Sequence, residues 1–342
     1  MAKRMRRLTI WACLGTLVAC GARSALNVEP REGEAVVAPP ETNRRVRDAS
    51  VPTDTRPDAA PDAASDASKP PPIDAALPPV DAFVKLDCES PETNFIYLVS
   101  DSDELYSYYP PSGAVRDVGT IQCPNATDPR LPSASHPFSM AVDRRGVAYV
   151  IFADGNLYRV STKTAACAFT GYNTNGDALS RFGMGFSANG GAGAPGVETL
   201  FVAGDPNLGA GGSGLGAVDV VRNRQTFISE FQPGVGRMEL TGSGDGRLFG
   251  FYGRTGQPGT FIGELDKSNA TVIGEQAFPT LDFGQGWAFA RYAGAFYMFT
   301  TTLGGANSMA TKFDPETGLT GVVQTFPQVI VGAGVSTCAP DQ

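Results

Sequence analysis

The sequence predicts an all-β fold built from one repeated unit, and three observations carry that prediction. From about Leu86 onward, short aromatic and β-branched runs alternate with Gly-, Asp- and Asn-rich turns, the pattern of antiparallel strands. One run recurs five times: FIYLV (95–99), VAYVIF (147–152), TLFVA (199–203), RLFGFY (247–252) and AFYMF (295–299). Its central aromatics, Tyr97, Tyr149, Phe201, Phe249 and Tyr297, stand 52, 52, 48 and 48 residues apart. Finally, 38 of the 41 glycines fall in this part of the 342-residue chain, where they can serve turns. A unit of about fifty residues with four strands is the blade of a β-propeller.

Each recurring run is followed by a second strand that ends at Tyr108, Val160, Val218, Leu265 and Phe313. Asp219, Asp266 and Asp314 come one residue later, and a short carboxylate there can accept the backbone N–H two residues on. The repetition assigns these aspartates to turns. A preceding strand also repeats, as SMAVD (139–143), GMGFS (183–187), MELTG (238–242) and WAFAR (287–291). Aligned on composition, its slim position holds Ala141, Gly185, Leu240 and Phe289, as suits an inner strand crowded near an axis. The first unit lacks this strand, and VGAGVST (331–337) supplies it from the end of the chain, with Gly334 at the slim position. Such a strand closes the ring and leaves no free inner edge. The expected blades are 94–123 plus 329–338, then about 137–172, 182–231, 237–278 and 286–328.

The rest of the chain is of another kind. Lys3, Arg4, Arg6 and Arg7 precede an apolar stretch from Leu8 to Ala19, the length of a signal peptide and too short to span a bilayer. Leu17-Val18-Ala19-Cys20-Gly21 resembles the bacterial lipobox, which implies cleavage before Cys20 and acylation of its thiol and amine. Gly21 after that cysteine favours the outer membrane. Residues 21–82 contain no aromatic, and 21–85 hold 11 of the 26 prolines, so this segment cannot bury enough apolar surface to fold. The expected organisation is a lipoprotein signal at 1–19, a disordered Pro/Ala/Asp-rich tether at 20–85, and a propeller at 86–342.

PFSMAVDRRGVAYVIFADGNLYRVS, TLFVAG, ELTGSGDGRLFGFY, GWAFA and VGAGVSTCAP resemble uncharacterised β-propeller lipoproteins of Gram-negative bacteria, especially myxobacteria. The resemblance covers roughly residues 88–340 and extends more distantly to NHL- and YVTN-type propellers. It implies a fold and a location, and assigns no activity or site.

Four cysteines remain beyond Cys20, and an even count in an exported chain reads as disulfides with three possible pairings. Position relative to the blades favours Cys88–Cys338, locking ring closure, and Cys123–Cys167, joining the outer parts of blades one and two. The composition is poor in chemistry. With 27 Lys+Arg against 35 Asp+Glu the net charge is −8, which disfavours nucleic-acid partners. A single histidine, His136, excludes a multi-His metal site, and no C-x-x-C pair seeds a zinc site, so no metal or cofactor is expected. GDPNLGAGGSGLG (204–216) lacks the Lys-Ser/Thr of a phosphate loop and reads as a long hairpin connection.

Some five-bladed propellers are glycosidases with carboxylates around the central opening, and an acid pair there is the chemistry to look for. Glu239 is the best single candidate, the one acid at an otherwise apolar inner-strand position, expected to pair with Arg237 or Arg291. Ligands are expected on the face of the inter-blade loops, with Asp177, Arg181, Asp205, Arg254, Asp282 and Trp287 as the search area. The favoured reading is a lipid-anchored envelope protein, held in the membrane through Cys20, whose non-catalytic propeller binds a protein or glycan. The alternatives are a glycan hydrolase and a structural component of an envelope complex; the oligomeric state is left open.

Overall fold

The computed structural model describes residues 88, 90–190, 197–204, 214–282 and 284–341. The expected signal, Cys20, the tether and Asp205 lie outside the described residues.

The strands form five four-stranded antiparallel sheets. A short 3-10 turn, Pro91–Asn94, leads into β1 (Ile96–Ser100), β2 (Glu104–Tyr109) and β3 (Ala114–Thr120) of blade one. Blade two is β4 (Pro137–Val142), β5 (Val147–Phe152), β6 (Asn156–Ser161) and β7 (Cys167–Asn173). Blade three is β8 (Phe182–Ala188), β9 (Glu198–Gly204), β10 (Leu215–Asp219) and β11 (Arg224–Ser229). Blade four is β12 (Met238–Gly242), β13 (Leu248–Tyr252), β14 (Thr260–Leu265) and β15 (Val272–Phe278). Blade five is β16 (Gly286–Tyr292), β17 (Ala295–Thr301), β18 (Ser308–Phe313) and β19 (Thr320–Phe326). The last strand, β20 (Ile330–Val335), pairs with β1 and gives blade one the order β20-β1-β2-β3.

This is the expected five-bladed ring, closed by its final strand. Tyr97 lies opposite Gly334 and Leu98 opposite Ala333. The two disulfides are Cys88–Cys338 and Cys123–Cys167, as expected from the blade positions. The aspartate turns are also as read: the backbone N–H groups of Val221, Ser268 and Glu316 donate to Oδ1 of Asp219, Asp266 and Asp314 at 3.0, 2.9 and 2.9 Å.

Burial explains the strand composition. Inner strands such as β8 and β12 and second strands such as β13 and β17 are buried throughout, because sheets lie against both of their faces. Buried on both sides, they read as unbroken apolar runs rather than as alternation. The outermost strands β3, β15 and β19 are largely exposed.

One feature of the repeat alignment needs correction. The five central aromatics lie opposite Gly334, Ala141, Gly185, Thr241 and Ala290. The slim positions of blades four and five are therefore Thr241 and Ala290, not Leu240 and Phe289. Shifting a strand by one residue sends every side chain to the other face. Leu240 and Phe289 point away from the slim layer and are buried in the core that also holds Phe249, Phe251, Trp287 and Phe296. Matching on composition alone misplaced the register, since a large apolar residue fits either the core face or a roomy axis.

Candidate functional site

The corrected register shows what surrounds the axis. Two residues before each slim position, Ser139, Gly183, Glu239, Ala288 and Gly332 form one layer of the inner strands, opposite Ile151, Ala203, Phe251, Phe299 and Val99. Only Glu239 in this layer has a long side chain. Its carboxylate reaches across to blade two, where the Ser139 hydroxyl donates to Oε2 at 2.6 Å. The same Ser139 oxygen accepts the backbone N–H of Met184 at 3.2 Å. Glu239 is 1% exposed.

The small neighbours make room for it. A Cβ at Gly183 would stand 2.9 Å from Glu239 Cδ and 2.2 Å from the Met238 carbonyl oxygen. In the next layer, a Cβ at Gly185 would meet the Leu240 carbonyl at 2.9 Å, and one at Gly334 would meet Ala141 and Val142 backbone atoms at 2.9 Å. Beside Ala141, Gly185, Leu240, Thr241 and Gly334 the axis is too narrow for a water molecule. Glu239 is buried one layer from this closed stretch and bridges inner strands of blades two and four. Of its two expected partners, Arg291 instead binds Asp341 at 2.8 Å, with its guanidinium 5.7 Å from the Phe249 ring. The Arg237 guanidinium sits 5.0 Å from the Phe138 ring and 5.4 Å from Trp287.

Of the six residues of the search area, Asp205 lies outside the described residues, and Trp287, Asp177 and Arg254 make contacts of their own. Trp287 is 1% exposed and belongs to the core. Asp177 accepts the Tyr172 hydroxyl at 2.7 Å, and Arg254 pairs with Glu275 while stacking over Phe261 at 5.3 Å. Arg181 is half-buried and Asp282 exposed. His136 Nδ1 lies 3.1 Å from Asp103 Oδ2 at the surface. What this face does bring together is the Phe138–Arg237–Trp287 stack.

The opposite face, built from turns that join first to second and third to fourth strands, includes two grooves among the described residues. The larger, about 600 Å³, runs between blades four and five over Phe249 and Phe296, rimmed by Asp245, Arg247, Arg291, Lys312 and Asp341. Its arginines are engaged: Arg247 by Glu264 at 2.5 Å and Arg291 by Asp341. The second, about 340 Å³, lies between blades one and two and is lined by Phe95, Tyr97, Ser107, Tyr109, Arg116 and Lys163, among others. Burial pushes the Tyr97 hydroxyl up to about 12, so it stays a neutral donor.

Near the axis on this face, Glu198 at the start of β9 accepts the Arg144 backbone N–H at 2.7 Å and the Thr337 hydroxyl at 2.8 Å. Burial raises its carboxyl to about 8, against those two hydrogen bonds and with help from the Asp143 charge. Asp143 itself is 3% exposed, binds Arg145 at 2.9 Å and caps its own turn through the Arg145 and Val147 N–H groups.

Sequence reading missed both grooves and Glu198. The grooves' polar residues are scattered over an inner strand (Arg291), third strands (Ser107, Lys312), an outer strand (Arg116) and turns (Asp245, Lys163, Asp314), so no one spacing links them. An aromatic two residues before a central aromatic, Phe95 before Tyr97, was the one available signal.

No protein-family model and no curated protein matches the chain. Among solved structures, it is similar to a chain of the mitotic checkpoint complex at 14% identity, covering 80% of this chain and 75% of that one, with a TM-score of 0.34. It is also similar to the hydrazine synthase of Kuenenia stuttgartiensis at 12% identity and a TM-score of 0.34. That match covers 66% of this chain and 64% of the other, so the chain spans less than two thirds of its length.

Proposed function

We propose that the chain is a lipid-anchored envelope protein displaying a non-catalytic propeller that binds a protein or glycan partner. One observation carries the binding half: among the described residues, two open grooves lie on a single face, while the axis beside the slim layer is too narrow for water. Ligand sites are concave, with a few polar groups set among apolar and aromatic ones, and both grooves have that make-up. The anchoring half rests on the lipobox-like Leu17 to Gly21, with Cys20 carrying the acyl chains. Each buried CH₂ adds about 0.8 kcal/mol to membrane affinity, so two or three chains hold without a spanning helix. The outer membrane is the proposed location.

The hydrolase alternative would use Glu239 with a second carboxylate. Against it stand the 1% exposure of Glu239 and its bond to Ser139, since a general acid or nucleophile must touch substrate.

The test uses the full-length chain and its Cys20→Ser and Glu239→Gln variants. Loss of membrane fractionation and of the diacylglyceryl mass in Cys20→Ser supports anchoring; unchanged fractionation overturns it. Capture of one stoichiometric envelope protein or polysaccharide, equal for wild type and Glu239→Gln, supports binding without catalysis. Polysaccharide turnover by the wild type that vanishes in a folded Glu239→Gln overturns it in favour of the hydrolase.

A further inference from the structure

We infer that the groove between blades one and two is a binding site for an acidic saccharide, a uronate-bearing oligosaccharide, recognised through Arg116 and Tyr109. The inference rests on the binding reading above and names a site and ligand class for it.

The groove is built on one sheet face. Tyr97 lies opposite Ser107, and Ser107 opposite Arg116, so a phenol, a hydroxyl and a guanidinium stand in line across β1, β2 and β3. Because side chains alternate along a strand, Phe95 and Tyr109 join the same face two residues along. Their rings stand 5.6 Å apart at 58°, and Tyr109 is 37% exposed. Across the gap, blade two contributes Thr162 and Lys163 as the opposing lip.

Charge then selects the ligand. Lys163 is matched by Glu92 at 3.2 Å, and Thr162 donates to the Gly146 carbonyl at 2.5 Å. Arg116 is exposed and has no ion-pair partner among the described residues. The groove therefore carries one unbalanced positive charge on a chain whose net charge is −8. A planar guanidinium matches a carboxylate with two parallel hydrogen bonds. The aromatic wall asks for a ligand with an apolar C–H face, and the hydroxyl of the exposed Tyr109 for one rich in hydroxyls, while Tyr97 and Ser107, 2% and 8% exposed, form the buried floor. A pyranose with a carboxylate offers all three. The volume of about 340 Å³ is within the range of small-ligand sites and fits one or two sugar rings. The larger groove lacks this selectivity, since its arginines already hold carboxylates.

The experiment is calorimetric titration of the full-length chain with tetragalacturonate, with uncharged galactotetraose and with inorganic sulfate. The wild type is expected to bind the uronate at least tenfold more tightly than either comparison probe. Arg116→Ala should lose at least tenfold for the uronate while leaving galactotetraose unchanged, and Tyr109→Ala should weaken both sugars. Lys312→Ala, in the other groove, should bind as wild type. Both Arg116 and Tyr109 are surface residues, and an unchanged unfolding midpoint confirms the fold of each variant. Equal affinity for charged and uncharged sugars, no binding of the uronate, sulfate binding as tight as the uronate, or an unaltered Arg116→Ala overturns the assignment. Partner capture from envelope material reads the binding proposal separately, so it can survive failure here.

Discussion

Gly183→Ala tests the claim that the inner strands leave no space at the axis. A Cβ there would stand 2.2 Å from the Met238 carbonyl oxygen, 2.7 Å from Glu239 Cα and 2.9 Å from Glu239 Cδ. Carbon and oxygen in ordinary contact stand above 3 Å, so the nearest approach is short by about 1 Å. Two of the three atoms are backbone, and no rotamer change moves them. Relief requires β12 to move away from β8, at the point where Glu239 reaches across to Ser139. Overpacking costs about 1–3 kcal/mol, and rigid backbone neighbours place this site at the upper end, about 3 kcal/mol. For a domain of this size that is a fall in Tm of about 6–12 °C. The control is Gly321→Ala on the exposed strand β19, where the added Cβ meets nothing within 4 Å. It should change stability by less than about 0.5 kcal/mol. Both are read by thermal melting followed by near-UV circular dichroism, with guanidinium midpoints as a second measure. If Gly183→Ala melts together with Gly321→Ala, the closed-axis argument is wrong.

Three further outcomes follow from other parts of the molecule. Replacing Cys88 and Cys338 together by serine should cost about 5 kcal/mol against about 4 for the Cys123/Cys167 pair, because the bridged separations are 250 and 44 residues; equal guanidinium midpoints would refute the loop-length account. Glu198 has a folded-state carboxyl raised to about 8 from its ordinary 4.5, so its unfolded form binds fewer protons between those values. Its contribution to stability is full below pH 4.5 and lost as pH rises through 8; the unfolding midpoint of Glu198→Gln should therefore gain on wild type from pH 5 to 9, and a constant gap would refute this. Ser139→Ala removes a hydroxyl donor to the buried Glu239 carboxylate and should destabilise by about 1–3 kcal/mol in denaturant titration, whereas no change would mean the bridge is immaterial.

The fold was legible because blades repeat and turns use few residue types. The aromatic spacing is stated five times and the aspartate turn three times, and the donated VGAGVST strand matches the inner strand of the other four blades. The register of β12 and β16 was not legible, since Leu240 and Phe289 satisfy the apolar pattern on either face. That error hid the true neighbours of Glu239. Read in the right layer, with Ser139, Gly183, Ala288 and Gly332, the acid is the one long side chain in a ring of short ones, which is a packing role. The blade-one groove was illegible for another reason. Its aligned row Tyr97–Ser107–Arg116 is joined only by strand pairing, and no linear spacing marks it.

The donated strand also sets an order in time. β20 is the innermost strand of blade one, yet every other strand is synthesised before it. A nascent chain can pair four blades while β1 waits with one edge open and Cys88 unbridged. Cys123 and Cys167, only 44 residues apart, are both present long before Cys338 arrives. Cys123 and Cys167 must therefore find each other while Cys88 still lacks its partner, and a chain that stalls before residue 330 presents an unpaired β1 edge to its neighbours. Closure of the ring thus waits on delivery of β20.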